Sequence, residues 1–281
     1  MAILIDFNQV VISGIQSQVS SNKINVLDKD LCRHLVLNSI RANVHKFKRE
    51  YGEVVICCDS RKYWRKEVFP FYKAGRKKAR EASKIDYALI FEILDEVRED
   101  LKTIFPYKVV HVDRAEADDV IGTLAPRLSA HEPVVIISSD GDFKQLQQYP
   151  NVKQYNPKLG VYVKSANPLA ELKEKIITGD AGDGIPSVIS NDDVFVAGIR
   201  QKPLTEKRKT IVFNEYDNPA SEYYRNIERN KLLIDLTMTP QEIKDAIVDA
   251  YEAPKQGNKQ LLMKYFIEKK LNRLLECIDE F

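Results

Sequence analysis

The stretch Ala2-Ile3-Leu4-Ile5-Asp6 is an unbroken apolar run closed by an aspartate, and the same form returns twice. Val54-Val55-Ile56-Cys57-Cys58 runs into Asp59, and Val134-Val135-Ile136-Ile137 runs through Ser138 and Ser139 into Asp140. Apolar runs without polar alternation suit strands buried on both faces of a parallel sheet. In open α/β sheets ligands bind outside the carboxyl ends of the strands, so these three strands aim three carboxylates at one edge. A further strand is predicted at Tyr107–Val112. Glu116-Ala117-Asp118-Asp119 follows it and opens a helix through Leu128, with Glu116 and Asp119 three apart on one helix face.

Two more acidic clusters extend the pattern. Asp142 stands beside Asp140, and Asp180 and Asp183 lie in the Gly-rich loop Asp180–Pro186. Any one of these acids alone reads as a helix N-cap or a turn residue. As a set of nine, with Asp6, Asp59, Glu116, Asp118, Asp119 and Asp140, they cannot crowd together without a counter-charge. Oxygen-only ligands select a hard cation such as Mg²⁺, for which Mn²⁺ can substitute. A pair of such ions is the apparatus of phosphodiester hydrolysis.

At 281 residues the chain can bury a sizeable core, and its 43 Lys and Arg against 41 Asp and Glu give a net charge of +2. Nine of those acids sit in the clusters, so the rest of the chain is more basic than the total shows. The densest basic stretch is 61–84. It carries Arg61, Lys62, Arg65, Lys66, Lys73, Arg76, Lys77, Lys78, Arg80 and Lys84 against only Glu67 and Glu81. Tyr63, Trp64, Phe69, Phe71 and Tyr72 are interleaved with these cations. Cations that follow phosphates and rings that stack on bases fit single-stranded nucleic acid. The competing reading is a solvated charged helix with a few core-facing rings. No apolar run reaches the roughly 18 residues that a membrane span needs. No basic stretch precedes the first apolar segment, so no signal peptide is expected and the protein is placed in the cytoplasm. Cys32, Cys57, Cys58 and Cys277 form no CxxC pair and the four histidines have no ligand spacing, which argues against zinc and for reduced thiols.

The order of elements alternates. A polar loop is expected at Gln16–Asn25. A helix follows from about Asp30 to Tyr51, with Leu31, Leu35, Ile40, Val44 and Phe47 inward and Arg33, Arg41, Lys46 and Lys48 outward. A helix at about Asp86–Phe105 stops before Pro106. Further on come a short helix at Phe143–Gln148, a hairpin of Val152–Tyr155 with Val161–Lys164, and a helix at Leu172–Thr178 closed by Gly179. Residues 191–209 give no clear pattern. A last helix is predicted over Lys259–Cys277. The fold class is α/β: a mostly parallel, doubly wound sheet between helices, spanning 1–169, with a helical region over 170–281.

Taken together, several short motifs resemble the 5′-nuclease, or flap endonuclease, superfamily, and within it the T-even bacteriophage members. They are Ile5-Asp6, Cys58-Asp59, YKxxR at Tyr72–Arg76, EADD at Glu116–Asp119, SSDGDF at Ser138–Phe143 and GDxxD at Gly179–Asp183. The resemblance runs over nearly the whole chain and rests on the order and spacing of the motifs. It implies a PIN-like sandwich with a two-metal site, a helical arch at about 61–84, and a helix–three-turn–helix motif in the DNA-binding region 170–281. It implies a metal-dependent 5′-to-3′ nuclease that cleaves RNA–DNA hybrids and 5′-flap or nicked DNA and removes primers in lagging-strand replication. Asp6, Asp59, Glu116, Asp118 and Asp140 would surround one metal. Asp142, Asp180 and Asp183 would serve the other, with Asp118 or Asp119 between. Lys73 and Arg76 match the catalytic cations of the arch. Arg61, Lys62, Tyr63, Trp64, Arg65, Lys66, Tyr72, Lys77 and Arg80 are the expected nucleic-acid contacts. A monomer that meets a single-stranded-DNA-binding protein or a sliding clamp, in the host cytoplasm of a bacteriophage, completes the expectation. The chain departs from the family pattern at Gly184, which stands where Asn is usual, and at Ser187, which stands where Gly is usual.

Two other classes are consistent with parts of the pattern. A non-catalytic nucleic-acid-binding protein would keep the basic segment, but clustered acids near a polyanion are costly without metal. A small-molecule phosphatase or phospho-acceptor domain also places Asp at strand ends. It needs fewer acids and no basic, aromatic segment.

Overall fold

Each apolar run forms the strand that its pattern predicts. The computed structural model describes residues 1–21, 27–83 and 85–281. Its strands are β1 (Ala2–Asp6), β2 (Glu53–Cys58), β3 (Lys108–His111), β4 (Val134–Ile137), β5 (Val152–Asn156) and β6 (Val161–Val163). They form one sheet in the order β3-β2-β1-β4-β5-β6, parallel except for the antiparallel β5–β6 hairpin. The chain builds outward from β1 through β2 to β3, then returns to set β4 on the other side of β1. Ile5 therefore pairs with Ile56 on one side and Ile137 on the other. This reversal is a topological switch point, where the loops leaving neighbouring strands part and open a crevice. Asp6 closes β1 and Asp140 closes the β4 side of that crevice.

Helices cover both faces. Before the basic segment come α1 (Phe7–Ser20) and α2 (Lys29–Tyr51). The segment itself holds α3 (Trp64–Val68) and α4 (Gly75–Glu81), and α5 (Tyr87–Thr103) and α6 (Ala117–Ser129) follow. Beyond the hairpin lie α7 (Pro168–Thr178), α8 (Glu206–Asn214), α9 (Tyr224–Ile234), α10 (Gln241–Glu252), α11 (Lys259–Glu268) and α12 (Asn272–Leu275). Alternate strand residues feed two cores. Ile3, Ile5, Ile56 and Ile137 pack under α1, α2, α5 and α11. Leu4, Val55, Val134 and Ile136 pack under α6 and α10. A third cluster joins Phe69 and Tyr72 to Ile176, Ile185, Ile227 and Ile234 of the α7–α9 region. Only part of the 170–281 helical region therefore stands apart from the sheet. Ile243 and Ile247 of α10 complete one layer, and Leu262, Phe266 and Phe281 complete the other.

Three local expectations are corrected. Gln16–Ser20 is the end of α1 and not loop, because Val10, Val11 and Ile15 are buried and hold the helix down; Asn22–Asn25 lie outside the described residues. Arg33 points inward, where Asp100, Glu96 and the Tyr265 hydroxyl receive its guanidinium. The Lys259–Cys277 helix breaks at Lys270, whose φ of 55° turns the chain back. Leu271 N–H then donates to Phe266 O at 2.8 Å, and Leu274 enters the core. Residues 191–209, which gave no clear pattern, hold a run of turns at 192–198 before the next α-helix begins at Glu206. Among the described residues no helix is long and apolar enough to cross a membrane.

Candidate active site

The strand ends deliver their acids as the sheet topology requires. Asp6 caps α1, and its Oδ2 accepts Ser138 Oγ at 2.8 Å across the switch point. Asp59 follows β2; its Oδ1 accepts Ala117 N at the start of α6 (2.7 Å) and its Oδ2 accepts Asn8 Nδ2 (2.9 Å). Asp118 lies in the first turn of α6, and Asp140 caps the 3₁₀ turn Gly141–Gln148, accepting Asp142 N at 2.9 Å. Asp6, Asp59, Asp118 and Asp140 line one cavity of about 960 Å³, with Lys73 and Arg76 on its wall.

The electrostatics of this wall are those of crowded, unpaired carboxylates. Burial, reinforced by the neighbouring charge of Asp59, pushes Asp6 up to about 8 despite the Ser138 hydrogen bond. Burial and then Asp140 hold Asp118 well above the usual carboxylate range. Asp59 is raised by burial, partly offset by Lys73. A hard divalent cation would relieve this repulsion, and the donors facing the cavity are oxygens, so the residues present fit such an ion. Among the described residues no three Asp, Glu, His or Cys side chains already stand in closed metal-ligand geometry.

A second acidic group adjoins the first. Burial pushes Asp142 up to about 6, with the Lys175 ammonium opposing it. Lys175 also reaches Asp180 at 2.8 Å. Asp183 is held by Arg76, by Tyr72 Oη at 3.2 Å and by Lys73 at 3.5 Å. Burial alone would raise Asp183, but Lys73 and Arg76 outweigh it and keep it below its ordinary value. Gly184 explains one departure from the family pattern. Its φ is +72°, and a Cβ there would stand 2.8 Å from Phe71 O, so the loop packs against the backbone of the basic segment more closely than a side chain permits. Ser187 is buried: its N–H donates to Gln201 Oε1 at 2.8 Å and its hydroxyl pairs with Ser190 at 3.0 Å.

Some expected site residues lie elsewhere. Asp119 is wholly buried, and its carboxylate accepts Trp64 Nε1 (3.2 Å), Arg65 Nη1 (3.0 Å), Thr239 Oγ1 (2.8 Å) and Glu116 N (2.9 Å). It anchors the fold and has no free face for a metal. Trp64, Arg65 and Tyr72, expected on nucleic acid, are buried for the same reason: they reach inward to Glu116, Asp119 and Asp183. Glu116 is also buried, held by Arg65 at 3.0 Å, Tyr72 at 2.9 Å and Lys73 at 2.5 Å, so it meets the cavity through Lys73. Arg61, Lys62, Lys66, Lys77 and Arg80 are exposed, and Tyr63 is half-buried on the cavity wall. Lys84 lies outside the described residues.

Sequence reading missed several residues. Asn8 and Ser138 orient Asp59 and Asp6. Gln154 is fully buried on β5 and donates to Ser138 O (3.1 Å) and Asp140 O (2.6 Å), which fixes the acidic loop. Lys175 gave no signal at all. A polar residue on the buried side of the Val152-Lys153-Gln154 alternation is the mark that could have found Gln154.

An acid-walled cavity at a sheet switch point, with cations on its wall, fits the class of metal-assisted phosphate-ester hydrolases. The comparisons narrow the class. Residues 20–178 match the family model described as 5′-3′ exonuclease, N-terminal resolvase-like domain, and residues 167–281 match the C-terminal domain of T4 RNase H. The chain is 36% identical to ribonuclease H of enterobacteria phage T4, over 99% of its own length and 95% of that protein. It is 34% identical to flap endonuclease Xni of Shewanella sp. (strain MR-4), over 53% of this chain and 54% of that one. A bacteriophage T5 flap endonuclease solved with DNA and metal ions shares the fold, with a TM-score of 0.63 at 19% identity over 90% of this chain and 99% of that one. The chain belongs to the 5′-3′ exonuclease family and is a 5′-nuclease of that family.

Proposed function

We propose that the protein is a divalent-metal-dependent 5′-to-3′ nuclease and flap endonuclease that hydrolyses 5′-flap or nicked DNA and RNA–DNA hybrids, removing primers in lagging-strand replication. The observation that carries this reading is the convergence of Asp6, Asp59, Asp118 and Asp140 on one cavity whose wall includes Lys73 and Arg76. Those four carboxylates would hold one Mg²⁺ or Mn²⁺ ion, and Asp142, Asp180 and Asp183 a second. When bound, such ions supply a more acidic water and a counter-charge for the leaving oxygen. The chain's own residues do the rest. Lys73 and Arg76, now on Glu116 and Asp183, are in reach of a phosphate that enters the cavity, where fixed cations stabilise charge spreading over phosphoryl oxygens. Tyr72 and Arg65 hold the Glu116 carboxylate as Lys73 leaves it. Asn8, Ser138 and Gln154 keep the acids aimed. The cations on the outer face of α4 would follow the phosphates of a single strand.

The test is cleavage of 5′-labelled flap DNA and a 5′-labelled RNA–DNA hybrid, with Mg²⁺ or with EDTA. We expect short products that require Mg²⁺ and disappear in Asp140→Asn while DNA binding persists. Near-normal turnover by that variant at saturating Mg²⁺ would remove Asp140 from the site. No cleavage by the wild type, with binding retained, would favour the non-catalytic binding protein.

A further inference from the structure

Lys175 sits in the last turn of α7, where the helix dipole favours a cation. Its ammonium joins two acids that the chain brings from different places. It pairs with Oδ1 of Asp142 and lies 2.8 Å from Oδ2 of Asp180. The other oxygen of Asp180 is taken by its own loop, accepting Gly182 N at 2.8 Å. Lys175 therefore covers the Asp180 oxygen that the loop leaves over. The backbone beneath the contact is fixed: Gly179 N–H donates to Lys175 O at 2.8 Å, and at Gly179 a Cβ would stand 2.4 Å from Ile185 O. Glu171, four residues earlier on the same helix face, lines with Lys175 and Asp142 a separate cavity of about 210 Å³, and there it already receives Ser165 Oγ at 2.6 Å and Lys144 at 3.0 Å, a polar site that a displaced ammonium could join.

We propose that Lys175 is a resident counter-cation of the Asp142–Asp180 pair, exchanged for a divalent ion: ion and ammonium exclude each other there, and displaced Lys175 turns toward Glu171. Lys175 is thus a positioning residue that sets the affinity of this half of the site and leaves the other half untouched. The inference rests on the reading of Asp142, Asp180 and Asp183 as ligands of a second ion. It differs from a plain structural pair in sign. A structural lysine, once removed, loosens the loop and weakens metal binding, whereas a competing lysine, once removed, tightens it.

The experiment is Mn²⁺ titration, followed by electron paramagnetic resonance and calorimetry, of the wild type, Lys175→Met and Lys144→Met. Lys144 carries the same charge nearby and pairs with Glu171 at 3.0 Å, so its removal reports the general field together with any release of Glu171. We expect the weaker class of Mn²⁺ sites to tighten about tenfold in Lys175→Met, within the usual range for coupled sites, and less than about twofold in Lys144→Met. The tighter class should not move. An unchanged or weakened second class in Lys175→Met would overturn the proposal, as would equal tightening in Lys144→Met. Absence of Mn²⁺ binding in all three proteins would instead remove the metal reading on which the proposal stands.

Discussion

The basic segment divides at Ala74. On one side, Trp64, Arg65, Phe69 and Tyr72 are buried, and the Arg65 guanidinium meets Glu116 and Asp119 in a buried network that also takes in Leu233 O at 2.9 Å. On the other, α4 has no buried residue, and Lys77 and Arg80 face solvent. Both halves are cationic and aromatic-flanked in sequence. They differ in where their counter-charges are. The acids that hold Arg65 come from α6; in the other half Arg76 is held by Asp183, and the partners expected for Lys77 and Arg80 would be phosphates. The acids of the protein divide the same way. Asp119 and Asp183 are paired with cations and held low, while Asp6 and Asp118, without an ion partner among the described residues, are held high. A cation run in sequence is therefore not one functional unit; each charge is assigned by its partner.

The strongest test of the division is Arg65→Met. It leaves Glu116 and Asp119 buried with one cation fewer, and breaking a buried pair in this way costs about 3–5 kcal/mol. We expect a large fall in the denaturant midpoint. A variant that keeps its stability but loses DNA affinity would put Arg65 back on the substrate side and erase the boundary.

Next in size is the contrast between Asp119→Asn and Asp118→Asn. Asparagine at 119 keeps the shape but cannot answer Arg65, so a loss of roughly 2–3 kcal/mol is expected, read by chemical denaturation. Asparagine at 118 removes one of several repelling charges. The metal-free protein should be no less stable, while Mg²⁺-dependent cleavage is lost. Equal destabilisation by both variants would mean that the two acids do the same work.

Acidity offers a third, smaller test. In the metal-free protein Asp6 keeps its proton up to about 8, whereas an unfolded chain releases it near 3.8. The folded state then binds more protons across that window, so stability falls as pH rises from about 4 toward about 8. Asp119 acts in the opposite sense: its stabilisation is complete above 3.8 and is lost as pH falls through its depressed value. In EDTA we expect the Tm to decline by several degrees from about pH 5 to about pH 8, since ~1 kcal/mol is worth about 2–4 °C in a chain of this size. Saturating Mg²⁺ should flatten that slope. A flat profile in EDTA would mean that the cavity acids are already neutralised.

These contrasts also show what the sequence could and could not display. Strands ending in Asp6, Asp59 and Asp140 were legible because burial on both faces demands apolar runs, and the switch point follows from strand order. Glu116 and Asp119 were legible as sharing a face, but not which way that face looks. Its direction depends on Arg65, Leu233 and Thr239, which lie far apart in sequence and meet only through packing. Asp118 and Asp119 are neighbours, yet a helix turns about 100° per residue and sends one to the cavity and one to the core. The reversal at Lys270 is formed without glycine, so no turn signal announced it.

The smallest expected effect lies in the free half. Lys77→Ala should change stability by less than about 0.5 kcal/mol, because surface charges away from a cap or core rarely do more. Among the described residues its ion partner is Glu81 at 3.9 Å, an exposed (i, i+4) pair of little worth. If α4 follows a phosphate backbone, its cost appears in binding. Each lost phosphate contact lowers the slope of log K against log salt by about 1, roughly independent of base sequence. Fluorescence anisotropy with a 5′-flap DNA at several salt concentrations measures this for Lys77→Ala and Arg80→Ala. The two need not be equal, since Arg80 also lies 4.9 Å over the Phe91 ring and part of its loss would be packing. A reduced slope with unchanged Tm fits a free half that waits for its counter-charge. An unchanged slope would leave the outer face of α4 solvated and take Lys77 and Arg80 off the substrate.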